Sequence, residues 1–110
     1  MLSSILPTKA LSQVIFIHDY IQLVFQDDSF TINNTIELNV NGKVFHQGQL
    51  GFCDSLVALI GAPLLSATSK PTLTLTFDGG AVLIVTQFGE SPEAWQYCNL
   101  NKSAIVERNA

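Results

Sequence analysis

The side chains in this 110-residue chain that could carry covalent or acid–base chemistry are few: Cys53 and Cys98, His18 and His46, and the adjacent carboxylates Asp27 and Asp28. A thiol with an imidazole as its base makes a nucleophilic pair, and such pairs assemble from distant positions, so either cysteine with either histidine defines a hydrolase reading. Nothing in the sequence selects it. The cysteines lie far apart and lack the close spacing of a zinc or redox pair, which reads them as buried apolar thiols, with a disulfide as the minor case. Neither histidine has a second ligand at a spacing that would share its face, so no metal or other cofactor is expected. A Gly-x-Ser-x-Gly elbow and a phosphate-cradling glycine loop are both missing, and Asp78-Gly79-Gly80 is explained by a hairpin that needs positive φ. Asp27 and Asp28 fall in an expected turn, where solvation leaves neither poised as an acid near neutral pH. The expectation is a protein that binds rather than catalyses.

Charge narrows the partner. Nine acidic residues against five basic ones give a net charge of -4, which lacks the phosphate attraction behind most nucleic-acid binding and favours a basic protein. Asp19, Asp27, Asp28, Glu90 and Glu93 make an acidic patch if folding brings them close, and such a patch pairs with lysines and arginines and speeds encounter. Tight binding also needs aromatic anchors, for which Trp95, Tyr97 and Tyr20 are candidates; the same three equally suit a core.

The elements that would position these groups are mostly strands. With 47% hydrophobic and 13% charged residues, residues 1–110 suit one domain able to bury a core. The N-terminus has no basic region ahead of an apolar stretch, and no apolar run approaches the roughly 20 residues of a membrane span, so a cytoplasmic protein is expected. Dense β-branched and aromatic residues predict strands over 11–17 and 20–26, broken at His18-Asp19. Phe30-Thr31-Ile32 resumes a strand beyond the Gln26-Asp27-Asp28-Ser29 turn. Alternation over 36–40, then Asn41-Gly42, predicts a second hairpin into 43–45. Leu56, Leu59 and Ile60 recur at helical spacing ahead of Gly61, predicting a deeply buried helix over 50–60. Strands follow at 64–68, 72–78 and 81–87, and Trp95, Tyr97 and 104–106 suit two more, joined by a turn over 99–102.

An internal repeat organises the chain: 21–32 aligns without a gap to 73–84, matching Leu23 with Leu75, Phe25 with Phe77 and Ile32 with Ile84. The fold class expected is α+β, mainly β: two related antiparallel β-meander units joined by one central helix packed on the sheet. Exposed edges such as 36–40 would also allow pairing with a second copy, so a homo-oligomerising β domain, most simply a homodimer, is the alternative to a partner-binding protein.

Read together, the His18-Asp19-Tyr20-Ile21-Gln22-Leu23-Val24-Phe25 strand, the Leu56-Val57-Ala58-Leu59-Ile60-Gly61 helix end, the Leu73-Thr74-Leu75-Thr76-Phe77-Asp78-Gly79-Gly80 hairpin and Pro92-Glu93-Ala94-Trp95 resemble a bacterial family of small β-rich domains of unknown function, over roughly residues 10–107. The sequence departs from that pattern at the first turn, where Gln26-Asp27-Asp28-Ser29 replaces the expected Asp-Gly pair. Domains that look like this are often immunity proteins of bacterial toxin systems, including those of contact-dependent growth inhibition. The resemblance implies a cofactor-free protein that binds and blocks one cognate toxin domain, and the acidic patch favours a basic nuclease as that toxin.

Overall fold

The computed structural model describes residues 9–99 and 104–109. It is mainly β: two five-stranded antiparallel sheets and one short helix. The strands are β1 (Gln13–Ile17), β2 (Tyr20–Phe25), β3 (Asp28–Ile32), β4 (Ile36–Val40) and β5 (Lys43–His46), then α1 (Phe52–Val57), then β6 (Leu64–Thr68), β7 (Thr74–Phe77), β8 (Ala81–Val85), β9 (Glu93–Cys98) and β10 (Ala104–Arg108). One sheet runs β1-β2-β3-β9-β10 and the other β5-β4-β8-β7-β6.

Alternation along each central strand decides what the sheets bury. Ile21, Leu23 and Phe25 of β2 face inward, as do Phe30 and Ile32 of β3, while Leu75, Phe77, Leu83 and Val85 do the same from the opposite sheet, all in one apolar cluster. Side chains two apart share a face, so each strand contributes every second residue to this core. Phe25 and Phe77, matched in the repeat, stack across it with ring centroids 6.3 Å apart and planes 15° apart.

The two meander units expected from the sequence are not separate. The first three strands of each half make a meander, β1-β2-β3 or β6-β7-β8, but the hairpin that follows crosses to the other sheet. There β9 pairs with β3, and β4 pairs with β8. The halves are interlocked, and a single core holds both. β4 consequently lies between β5 and β8, so the edge expected at 36–40 is not free to pair with a second copy.

The repeat itself holds up to the turn and then slips. Val24 pairs with Ser29, so a gapless repeat requires Thr76 to pair with Ala81; Thr76 instead pairs with Val82. The Asp78-Gly79-Gly80 loop is one residue longer than Gln26-Asp27, and a one-residue slip exchanges the faces of a strand. Hence Ile32 is buried while its counterpart Ile84 is half-buried, and Val85 takes the core position instead.

The helix is shorter and less buried than 50–60 predicted. Phe52, Leu56 and Leu59 face the core, but Leu50 is fully exposed and Val57 and Ile60 are 44% and 45% exposed. After Val57 the chain tightens, with Leu59 N–H donating to Leu56 O and Ile60 N–H to Val57 O, three-residue spacings that end an α-helix. Asp54 lies in the first turn, and Gly61, at φ 98°, leads the chain away while its N–H bonds Leu11 O at 2.7 Å. Part of the turn expected over 99–102 lies outside the described residues; β9 and β10 on either side of it are strands.

Candidate functional site

The two hairpin crossings create the site. Residues 33–35 link β3 to β4 and residues 86–92 link β8 to β9, and the two linkers run side by side. Thr86 N–H donates to Thr35 O at 2.9 Å, and the two threonine hydroxyls lie 3.1 Å apart. Asn33 and Asn34 both donate their backbone N–H to Ala94 O, and the Asn33 amide donates to Glu93 O at 3.0 Å. Backbone that leaves a sheet must find such partners, and here the first linker and the start of β9 supply them.

Asn34 is the buried polar side chain among the described residues, 3% exposed. Its Nδ2 donates to Thr86 O at 2.9 Å and to Asn109 Oδ1 at 2.8 Å, and its Oδ1 accepts from Asn109 Nδ2 at 2.9 Å. Asn109 also donates from Nδ2 to Ser91 O and from its backbone N–H to Pro92 O. This reciprocal amide pair fastens residues after β10 to both linkers, and its donors and acceptors are satisfied, as burial demands. Gly89 lies directly against it: a Cβ there would stand 2.0 Å from Asn34 Oδ1.

Above this clamp opens a cleft of about 640 Å³ lined by His18 and Asp19 from the β1–β2 turn, by Asn33, Asn34 and Thr35 from one linker, and by Phe88 to Ser91 from the other. Phe88 is 78% exposed, held out by a linker whose Thr86 hydroxyl donates to the Phe88 carbonyl at 3.2 Å. Asp19 and Glu90 are exposed and on the same cleft, and His18 Nε2 lies 3.8 Å from Asp19 Oδ1, an ion pair when the imidazole is protonated. The cleft thus carries one exposed apolar ring and two carboxylates, which suits a surface carrying lysine or arginine side chains.

Of the acidic residues singled out from sequence, the fold brings together Asp19 and Glu90 only. Glu93 opens β9, half-buried, and does not line the cleft. Asp27 is exposed at the opposite end of β2, roughly 20 Å away at about 3.4 Å per strand residue. Asp28 is not a solvated turn residue: it begins β3, and its carboxylate accepts a hydrogen bond from the Tyr97 hydroxyl. Burial first, and then that hydrogen bond, push the Tyr97 hydroxyl well above its ordinary pKa of 10.0. Trp95 and Tyr97, 2% and 0% exposed, pack against Phe30 at ring distances of 6.5 and 4.9 Å. They are core residues and present no face to a partner. Tyr20 is half-buried in β2.

The thiol–imidazole pairing finds no support in the geometry. Cys53 is exposed on α1, contrary to the buried thiol expected, Cys98 is half-buried at the end of β9, and both are free thiols. The histidines keep carboxylate company instead, His18 with Asp19 and His46 with Glu37 at 3.7 Å. Among the described residues no group of three or more His, Cys, Asp or Glu could hold a metal ion, and no helix is long and apolar enough to cross a membrane. Sequence reasoning missed Phe88 and the asparagine clamp. A signal for Phe88 existed: a lone aromatic beside Gly89, ahead of Ser91-Pro92, follows no strand alternation and has no core role to fill.

No family model, curated protein or solved structure matches this chain.

Proposed function

We propose that this protein is a non-catalytic immunity protein that acts in the cytoplasm, binding a basic bacterial toxin domain through the cleft between its two linkers and occluding the toxin's working surface. One observation carries the reading: Phe88 stands 78% exposed in the cleft that Asp19 and Glu90 also line, on a linker braced by the Asn34–Asn109 amide pair. A large aromatic held in water has a hydration cost that a partner removes, and a braced loop loses little entropy when it is covered. The two carboxylates of the cleft would steer a positively charged toxin nuclease, in keeping with the chain's net charge of -4. The family resemblance read from the sequence points the same way. Inhibition of this kind requires no cofactor and no nucleic acid.

The test is co-expression with the toxin domain encoded immediately upstream. Co-purification with rescued growth is expected for the wild type, and loss of both for the Asp19→Lys/Glu90→Lys variant. Toxicity without a complex, or full protection by the charge-reversed variant, overturns the proposal.

A further inference from the structure

The last strand of a sheet carries outward N–H and C=O groups without partners, and proteins blunt such edges with charges, bulges or short strands. Among the described residues the edge strands are β1, β10, β5 and β6. β5 has only four residues and opens on exposed Lys43. β6 carries a register shift between Leu64 and Ser66, and β10 ends in Glu107 and Arg108 with a shift between them. β1, Gln13-Val14-Ile15-Phe16-Ile17, has no charge and no register shift against β2, and the Gly61–Ala62 segment bonds the chain only at Leu11, ahead of the strand. Phe16 and Ile17 are nevertheless 44% and 46% exposed.

We propose that β1 is the interface of a symmetric dimer, in which the β1 strands of two copies pair antiparallel about Ile15 and join two five-stranded sheets into one. The register follows from the hairpin. Ile17 and Tyr20 flank the two-residue His18-Asp19 turn, so they form its hydrogen-bonded closing pair, and alternation then turns the N–H and C=O groups of Val14 and Phe16 outward. Centring the pair on Ile15 sets Val14 of each copy opposite Phe16 of the other and engages both residues twice.

The side chains agree with this register. Val14 and Phe16 lie opposite the buried Leu23 and Ile21 of β2, so they share the inner face, where Phe16 of one copy would cover Val14 of the other and lengthen the core. On the outer face Ile15 meets Ile15, and Gln13 meets Ile17. No like charges are opposed anywhere along the strand, which makes it complementary to itself rather than to a charged peptide. α1 packs beside β1, and Val57 at its end and Ile60 just beyond it are exposed. The two His18 turns, three residues either side of the axis in each strand, would stand about 20 Å apart, giving one dimer two clefts.

Sedimentation or light scattering of the full chain over a range of concentrations tests the proposal, the expected mass being twice the 12.0 kDa of the monomer. Ile15→Lys sets two ammonium groups opposite each other and is expected to run as a monomer at concentrations where the wild type is dimeric, with its circular dichroism unchanged. Ile15→Cys in a Cys53→Ser background places one thiol opposite its own copy at a Cα separation of about 4.5 Å, within disulfide reach, and is expected to oxidise to a linked dimer even if the lysine variant misfolds. A wild type that stays monomeric throughout, a dimer that survives Ile15→Lys, or a dimer that Ile15→Cys fails to link overturns it.

Discussion

Gly89→Ala adds one methyl group at the point where the linkers are fastened, and its cost can be worked from the contacts. The new Cβ would stand 2.0 Å from Asn34 Oδ1, 2.7 Å from Asn34 Cγ and 3.3 Å from Asn109 Nδ2. The residue is outside the left-handed region, so no backbone strain enters and the clash acts alone. Ordinary contact begins near 3.5 Å, so the Asn34 amide must retreat by more than an ångström. That displacement breaks its bonds to Thr86 O and to both polar atoms of the Asn109 amide. Three buried hydrogen bonds at about 1 kcal/mol each, with the Thr86 carbonyl left short of a partner, put the loss at about 2 to 4 kcal/mol. In urea unfolding, with a slope of about 1 to 3 kcal/mol per molar for a chain of this size, the midpoint falls by about 1 to 2 M.

A double-mutant cycle separates this mechanism from a general intolerance of the loop. Asn34→Ala alone removes the same bonds and is expected to cost a similar amount, but it also removes the atoms that Gly89→Ala strikes. The second substitution on top of the first should then cost no more than about 0.5 kcal/mol, a coupling of about 2 kcal/mol. Additive losses, or a Gly89→Ala protein within about 0.5 kcal/mol of wild type, would refute the reasoning.

Tyr97 has its pKa raised by burial and by Asp28, so the folded state keeps a proton that the unfolded state releases above about pH 10. Stability that is fully present below pH 10 should decline above it, by at most about 1.4 kcal/mol per pH unit; Tyr97→Phe should lose that dependence in alkaline urea titrations, at a cost of about 1 kcal/mol at neutral pH. Phe88→Ala, at a side chain 78% exposed, should change stability by less than about 0.5 kcal/mol yet weaken toxin binding by roughly 30-fold, the size of an interface hot spot near 2 kcal/mol, measured by calorimetry. Asp27→Lys, at the far end of β2, should leave affinity within about twofold, because the cleft lies roughly two Debye lengths away at physiological salt.

Most strands were legible because alternation is a local signal. Tyr20-Ile21-Gln22-Leu23-Val24-Phe25 shows its buried face in the sequence, and Asn41-Gly42, at φ 53° and 88°, closes its hairpin as the residue types require. The helix was overread for a physical reason: Leu50, Val57 and Ile60 are as apolar as Leu56 and Leu59, and only the packing tells that the chain turns at Val57 and leaves them in water. The repeat was visible, but its slip was not. A third loop residue at Asp78-Gly79-Gly80 reads as one more turn former, although it alone exchanges the faces of β8.

The cleft was hidden by the same topology that makes it. Had each half kept its own hairpin, residues 33–35 and 86–92 would be ordinary connections within separate sheets. Exchange of the hairpins forces both linkers across the joint, where Thr35 and Thr86 meet and Asn34 is buried. The linkers then differ in length. Residues 33–35 are just long enough to cross, whereas 86–92 carry surplus chain that the fold does not need for crossing, and that surplus holds Phe88 and Glu90. The cleft therefore arises where the approximate symmetry of the scaffold fails: equal linkers would close the joint without one, and the added length of the second linker is what projects an aromatic side chain into solvent in the cleft that Asp19 also lines.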